Sequence, residues 1–161
     1  MAPKRVRQVL NTYLAFLTEI VFQHKGTLDK YIGDAIMAFF STREGEENHA
    51  LRAIKAALRM QEEIKLFQSK AKDMLNVTYG IGINTGVVVL GHIGSGRRLD
   101  FTILGDPVNI ASRLCSKAKQ DQILIGESTY EQIIDAFQVR NMGPVKIKGK
   151  RQAINVYEVK K

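Results

Sequence analysis

The sequence is short of cysteine, of acidic residues relative to basic ones, and of long apolar runs, and each shortage excludes something. Cys115 is the only cysteine in 161 residues, so neither a disulfide within the chain nor a thiolate metal cluster can form, which fits a reducing compartment. On an apolar helix Cys115 reads as a small core residue rather than a reactive thiol. No apolar run approaches the roughly 20 residues that cross a bilayer, and the basic start MAPKRVRQ is not followed by an apolar signal segment. The expectation is a soluble, cytoplasmic chain with no direct membrane insertion of its own, within a parent protein that a tether could still hold at a membrane. Acids number 16 against 24 Lys and Arg, a net charge of +8. Such a surplus suits an anionic partner, whether phosphates, nucleic acid or an acidic surface, although Lys4, Arg5, Arg7, Lys160 and Lys161 lie near the chain ends, where plain solvation accounts for them equally well. Internal repeats and low-complexity linkers are also absent, and 161 residues that are 45% apolar suffice for one domain with its own core.

Hydrophobic periodicity supplies the elements. Val6, Val9, Leu10, Tyr13, Leu14, Leu17, Ile20 and Val21 recur at three- and four-residue spacings, one face of a helix that ends near His24-Lys25-Gly26 with Gly26 as its C-cap. TLDKYI and AIMAFF read as two strands on either side of a Gly33-Asp34 turn. After the polar STREGEEN loop, a second helix carries Leu51, Ile54, Leu58, Ile64 and Phe67 on one side, with Gln61 in the stripe. In NVTYGIGINTGVVVLGHIG, Gly80 and Gly82 alternate with Tyr79, Ile81 and Ile83, leaving one strand face bare for another element to approach. GSGRRLD reads as a glycine-rich loop and FTILG as a short strand. DPVNIASRLCSKA begins a helix with Asp106 as N-cap and Pro107 at the first helical position. QILIG is a strand, ESTYEQIID a helix, FQVRNMG a strand, and VKIKGK with AINVYEV a closing hairpin-like pair. This order predicts a single α+β domain over residues 1–161.

A few residues could carry chemistry. Gly33-Asp34 is a good turn in its own right, but a carboxylate at a strand tip also suits Mg²⁺, which takes one or two protein carboxylates plus substrate phosphates. Asp29 and Lys30 are neighbours on a strand, so regular alternation sends them to opposite faces, and one must leave the core or serve a ligand. Asn109 and Arg113 share a helix face near a helix start that favours anions, and a guanidinium matches phosphate oxygens. A capping asparagine and a surface arginine would look the same. Thr102, on the strand ahead of that helix, either offers a hydroxyl to a base edge or is simply a β-former. Lys146, Lys148 and Lys150 alternate, so they share one strand face and repel unless an anion or water relieves them.

Taken together, GTLDKYIGDAIMAFF, YGIGINTGVVVLGHIGSGRRLDFTILGDPVNIASRL, QILIGESTYE and GPVKIKGKRQAINVYEV closely resemble the catalytic domain of the class III nucleotide cyclases, the adenylyl and guanylyl cyclases. The likeness runs from Val9 onward, and IGDAIMA and GDPVNIASRL are its specific blocks. It implies a ferredoxin-like α+β sandwich that pairs head to tail as a homodimer, with active sites at the interface. It implies attack of the ribose 3′-hydroxyl of ATP or GTP on the α-phosphate, with pyrophosphate leaving and two Mg²⁺ or Mn²⁺ ions assisting. By the same resemblance Asp34 is one of two metal aspartates, Lys30 and Thr102 read the purine, Asn109 orients the ribose, Arg113 stabilises charge on the α-phosphate, and Lys148 grips the terminal phosphates. A lysine donor suits adenine N1, an acceptor; guanine N1 carries a hydrogen, and guanylyl cyclases place an acid there and typically a cysteine at the second position. Lys30 with Thr102 thus implies an adenylyl cyclase of the threonine-bearing branch, with ATP as substrate. The family pattern also has a strand ahead of the first helix, bearing the other metal aspartate. The only acids before Asp34 are Glu19 and Asp29, and neither matches it, so the expectation is a domain without that strand and of low activity as it stands.

Two readings from other classes compete. A non-catalytic cyclase-like domain would pair with another chain and regulate it. A basic ferredoxin-like module that binds RNA would expose aromatic residues for stacking; here Phe39, Phe40, Tyr79 and Phe101 are scattered and no RNP-type motif is present, so nucleic acid is not an expected partner.

Overall fold

The computed structural model describes residues 3–70, 79–96, 98–146 and 152–160. Lys148 and Lys150, two of the three alternating lysines, lie outside the described residues. The chain divides into two compact units, Met1–Thr78 and Tyr79–Lys161.

In the first unit, helices α1 (Pro3–Gln23) and α2 (His49–Lys70) pack on each other, and α1 also packs on a hairpin of β1 (Thr27–Ile32) and β2 (Ala35–Phe39). The stripe expected on α1 is buried at Val9, Tyr13, Leu17, Ile20 and Val21, whereas Val6 is largely exposed. On α2 the buried line is Ala50, Ala53, Ile54, Ala57, Met60, Gln61 and Ile64, with the bulkier Leu51 and Leu58 only half-buried at its flanks. Interaxial distance depends on the side chains at the contact, so small alanines take the centre line that a reading by bulk assigns to leucine. The end of α1 also departs from expectation. Gly26 donates to the Val21 carbonyl (2.8 Å) and Lys25 to that of Phe22 (2.9 Å), a Schellman closure in which Lys25, not Gly26, takes the left-handed backbone (φ 57°). Gly26 is glycine for space: a Cβ there would stand 2.6 Å from the Phe40 ring. Arg52, buried in the same unit, donates to the carbonyls of Lys25 (2.8 Å), Ser41 (2.5 Å) and Glu47 (3.0 Å). One guanidinium therefore ties the end of α1 and the end of β2 to the loop before α2, a role that nothing in the hydrophobic pattern marks.

In the second unit, β3 (Gly80–Ile83), β6 (Gln122–Gly126), β8 (Ile154–Val159) and β7 (Val139–Val145) form a four-stranded sheet in that order, with β3 and β6 parallel and the other pairs antiparallel. Strands β4 (Val89–Ser95) and β5 (Arg98–Leu104) make a separate hairpin, and helices α3 (Asp106–Lys117) and α4 (Glu127–Ile133) complete the unit. The bare face of β3 is where α3 sits, with Ala111, Cys115 and Ala118 over Gly82 and Gly80. From α3, Leu114 joins Leu124 and Val156 in the core. Tyr157 faces the other side of the sheet, where Tyr130 of α4 stacks on it at 4.0 Å. Cys115 is exposed rather than part of the core; its thiol donates to the Gly80 carbonyl at 3.4 Å, and desolvation there pushes its pKa up, away from a reactive thiolate.

Two strand assignments shift. GSGRRLD is not a free loop: β4 runs to Ser95, which pairs directly with Arg98 of β5. FQVRNMG and the start of VKIKGK are one strand, because β7 continues through a bulge between Asn141 and Gly143 to Val145 and pairs with β8 along its length. Gly143 and Pro144 lie within β7, an edge strand, where a missing N–H and a bulge are tolerated.

Glu158 on β8 yields a pH prediction. It is buried, and it accepts from Lys160 (2.9 Å) and Arg140 (2.5 Å). Burial alone would raise its pKa, but the hydrogen bonds and charges of Lys160 and Arg140 outweigh it and hold the carboxyl below its ordinary value. A depressed folded pKa gives stability that is present above the unfolded pKa and lost as pH falls through the folded one. Glu158→Gln is therefore expected to melt below the wild type at neutral pH, with the gap closing once the pH drops below about 4. Melting curves in which the gap widens with acid would contradict this.

Candidate active site

The β1–β2 hairpin places the first group of residues. Ile32 pairs with Ala35, so Gly33 and Asp34 are the two turn residues, and Gly33 takes the left-handed backbone (φ 62°) that lets the turn close. Asp34 is exposed at the tip. Lys30 pairs with Met37 on the strand leading in, and the register slips between Leu28 and Lys30, leaving Asp29 as the extra residue of a β-bulge. The bulge overturns the expected alternation. Instead of pointing to opposite faces, the two side chains meet: Lys30 Nζ lies 3.6 Å from Asp29 Oδ2, with the Asp29 side chain 1% exposed and that of Lys30 40% exposed.

The second group belongs to the start of α3. Gly105 precedes the helix with φ 149° and ψ 168°, a region essentially reserved for glycine, and its carbonyl accepts from Val108 N–H at 3.2 Å. Gly105 is thus the N-cap, and the expected cap, Asp106, is the first helical residue, where its charge favours the positive end of the helix dipole. Asn84 donates to the Pro107 carbonyl at 3.4 Å, and Gly86 lies so close to the Pro107 ring that a Cβ would stand 2.4 Å from it. The start of α3 is therefore held in place from the loop after β3. Asn109 is exposed and Arg113, one turn on, is half-buried. Neither side chain has a hydrogen bond or ion pair with another group among the described residues. Lys117, a further turn along, lines a groove of about 300 Å³ with Lys119 and Arg140 above Leu114, Leu124 and Val156, which adds positive potential beside α3.

Thr102 is buried on β5 opposite Gly91. Lys148 lies outside the described residues, and Lys146 is exposed just after β7. The fold thus puts Lys30 and Asp34 on one hairpin and Asn109 and Arg113 on one helix face. Sequence reasoning missed the link between Asp29 and Lys30, because a bulge leaves no signature in a six-residue strand. Lys117 was legible as the next member of the series Asn109, Arg113, at the same spacing.

Among the described residues no group of three His, Cys, Asp or Glu side chains could hold a metal unaided. Glu19 lies on α1 and accepts from Gln23 at 3.3 Å, and Asp29 is taken up by its bulge. Asp34, exposed at the turn tip, is the kind of carboxylate that a hard cation takes when it shares its coordination with phosphates and water. No helix among the described residues is long and apolar enough to cross a membrane.

The first unit carries an acid-tipped hairpin and the second a helix with Asn109 and Arg113 on one face, and comparison with known proteins makes the class definite. The family model described as adenylate and guanylate cyclase catalytic domain matches residues 1–161. A terminal-differentiation-specific adenylate cyclase of Dictyostelium discoideum is 43% identical over 156 residues, covering 93% of this chain and 7% of that protein. The crystal structure of the adenylyl cyclase CyaB from P. aeruginosa matches with a TM-score of 0.92 at 31% identity, covering 100% of this chain and 85% of that one. The guanylyl cyclase Cya2 matches with a TM-score of 0.87 at 30% identity, covering 99% of this chain and 82% of that one. The chain belongs to the class III adenylate and guanylate cyclase catalytic domain family. It spans a third or less of the length of the first curated relatives it matches.

Proposed function

We propose that this chain is the catalytic part of an adenylyl cyclase, converting ATP to 3′,5′-cyclic AMP and pyrophosphate at sites completed by a second copy. The observation that carries this reading is Lys30 on an acid-tipped hairpin: a half-exposed ammonium four residues ahead of Asp34, on the strand that leads to the turn. An ammonium offers only donors. It therefore pairs with N1 of adenine and repels the N1–H of guanine, a distinction that matters because both adenylyl and guanylyl cyclases are among the structures this chain resembles. Thr102 supplies the second contact to the base. Asn109 orients the ribose, Arg113 meets the charge that builds on the α-phosphate, and Lys148 holds the terminal phosphates. Mg²⁺ or Mn²⁺, held by Asp34 together with the phosphates, would polarise the reacting phosphate and neutralise its charge.

The test is cyclic AMP formation from ATP with Mn²⁺ or Mg²⁺, run on this chain and on a version extended upstream. Product from either supports the reading. No cyclic nucleotide from either, with ATP or GTP, would favour a non-catalytic pairing domain. Lys30→Glu with Thr102→Cys is expected to weaken the preference for ATP and to admit GTP. Undiminished ATP selectivity in the double variant would remove both residues from base recognition.

A further inference from the structure

We propose that Asp29 is a positioning residue for purine selection, holding the ammonium of Lys30 in the direction from which it reads the base. This rests on the assignment of Lys30 to the base. Three observations on the hairpin carry it. The register slips at Asp29, so the one residue that a regular ladder would turn to the far face is brought round beside Lys30. Its side chain is 1% exposed while Lys30 keeps 40% of its own in solvent. The two charged groups stand 3.6 Å apart. A buried carboxylate is costly unless it is paired, and the bulge brings the Lys30 ammonium in as one of the groups that pair with this one.

The chemistry follows from the lysine side chain. Four rotatable carbons let an unanchored ammonium swing, and a swinging donor discriminates poorly between an acceptor and a donor on the facing base. An ammonium has three N–H groups; held by its ion pair with Asp29 at 3.6 Å, it keeps donors to offer a base from a restricted position. Asp29 touches no substrate in this scheme. It acts through Lys30, so its loss should be felt in the choice between ATP and GTP more than in the chemical step.

The experiment is a double-mutant cycle of Asp29→Asn and Lys30→Met, with dissociation constants for ATP and GTP as one readout and the Lys30 ε-methylene NMR signal of the nucleotide-free protein as the other. Asp29→Asn alone is expected to cut the ATP-over-GTP ratio by about tenfold, the order of one lost charge-assisted hydrogen bond. In the Lys30→Met background it should change that ratio no further. The two ε protons of Lys30, inequivalent while the chain is pinned, should merge in Asp29→Asn. An equal effect of Asp29→Asn in both backgrounds, or none in either, would overturn the proposal, since a residue that merely supports the hairpin does not distinguish them. A wild-type chain that binds neither nucleotide would overturn the assignment of Lys30 to the base and the selectivity that depends on it. The methylene signal would then still decide the anchoring contact, which is refuted if Asp29→Asn leaves that signal unchanged.

Discussion

Arg113→Ala is expected to lower kcat for cyclic AMP formation by about 10²–10³ while leaving KM for ATP within a few-fold of wild type. The size follows from when the contact matters. Negative charge on the α-phosphate grows as the 3′-oxygen attacks, so a fixed cation gains most at the transition state and little in the ground state. Arg113 is suited to this because it is half-buried on a helix whose start is held by Gly105, Asn84 and Gly86, and because no partner among the described residues competes for its guanidinium. For the same reason the substitution should cost little stability, within about 0.5 kcal/mol, so an unchanged melting temperature separates a catalytic loss from an unfolded one. Steady-state kinetics in a version that shows turnover decides the matter. A defect confined to KM would move Arg113 into ground-state binding, and wild-type kinetics would remove it from the site.

The largest structural effect is expected at Gly82. An alanine Cβ there would lie 2.2 Å from the amide nitrogen of Cys115 and 2.3 Å from the carbonyl oxygen of Ala111. Both are backbone atoms of α3, so no rotamer change relieves the clash, and the helix itself must lift from β3. Lifting it pulls the fully buried Leu114 away from Leu124 and Val156. Overpacking typically costs 1–3 kcal/mol and more where the backbone must move, so about 3 kcal/mol is expected, or roughly 6–12 °C in Tm for a chain of this size. Catalysis should fall with it, because the displaced helix carries Asn109 and Arg113. Gly91→Ala is the matched control: it too is a strand glycine, but nothing lies within 4 Å of its added Cβ, and its Tm should stay near wild type. If Gly82→Ala melts with the control, the close approach of α3 to β3 is not what the structure describes.

Much of the candidate site's local geometry was legible in the sequence because it is set by local chemistry. Gly33-Asp34 makes a turn whatever surrounds it, and Asn109 and Arg113 share a face by helix geometry alone. Gly80 and Gly82 announced a bare strand face, although not which helix would occupy it. The cyclase blocks IGDAIMA and GDPVNIASRL carried the family assignment, which the full-length family match bears out.

What failed was whatever depends on neighbours distant in sequence. Gly26 was read as a helix cap because glycine tolerates a left-handed backbone, yet Phe40, brought in from the far end of the hairpin, is the reason no side chain fits there. FQVRNMG and VKIKGK read as separate strands because the edge position that tolerates Pro144 inside β7 is not written locally. Asp29 and Lys30 were sent to opposite faces because strand alternation is a rule about regular ladders, and the extra residue in this one is fixed only when β1 meets β2. The sequence by itself determined the class of elements, the turn, the shared helix face and the family. The tertiary structure alone decided which glycines are there for space, where the strands run on, and that a buried carboxylate stands beside Lys30, because each of these is set by the packing of side chains and by strand register between segments whose order along the chain does not reveal how they meet.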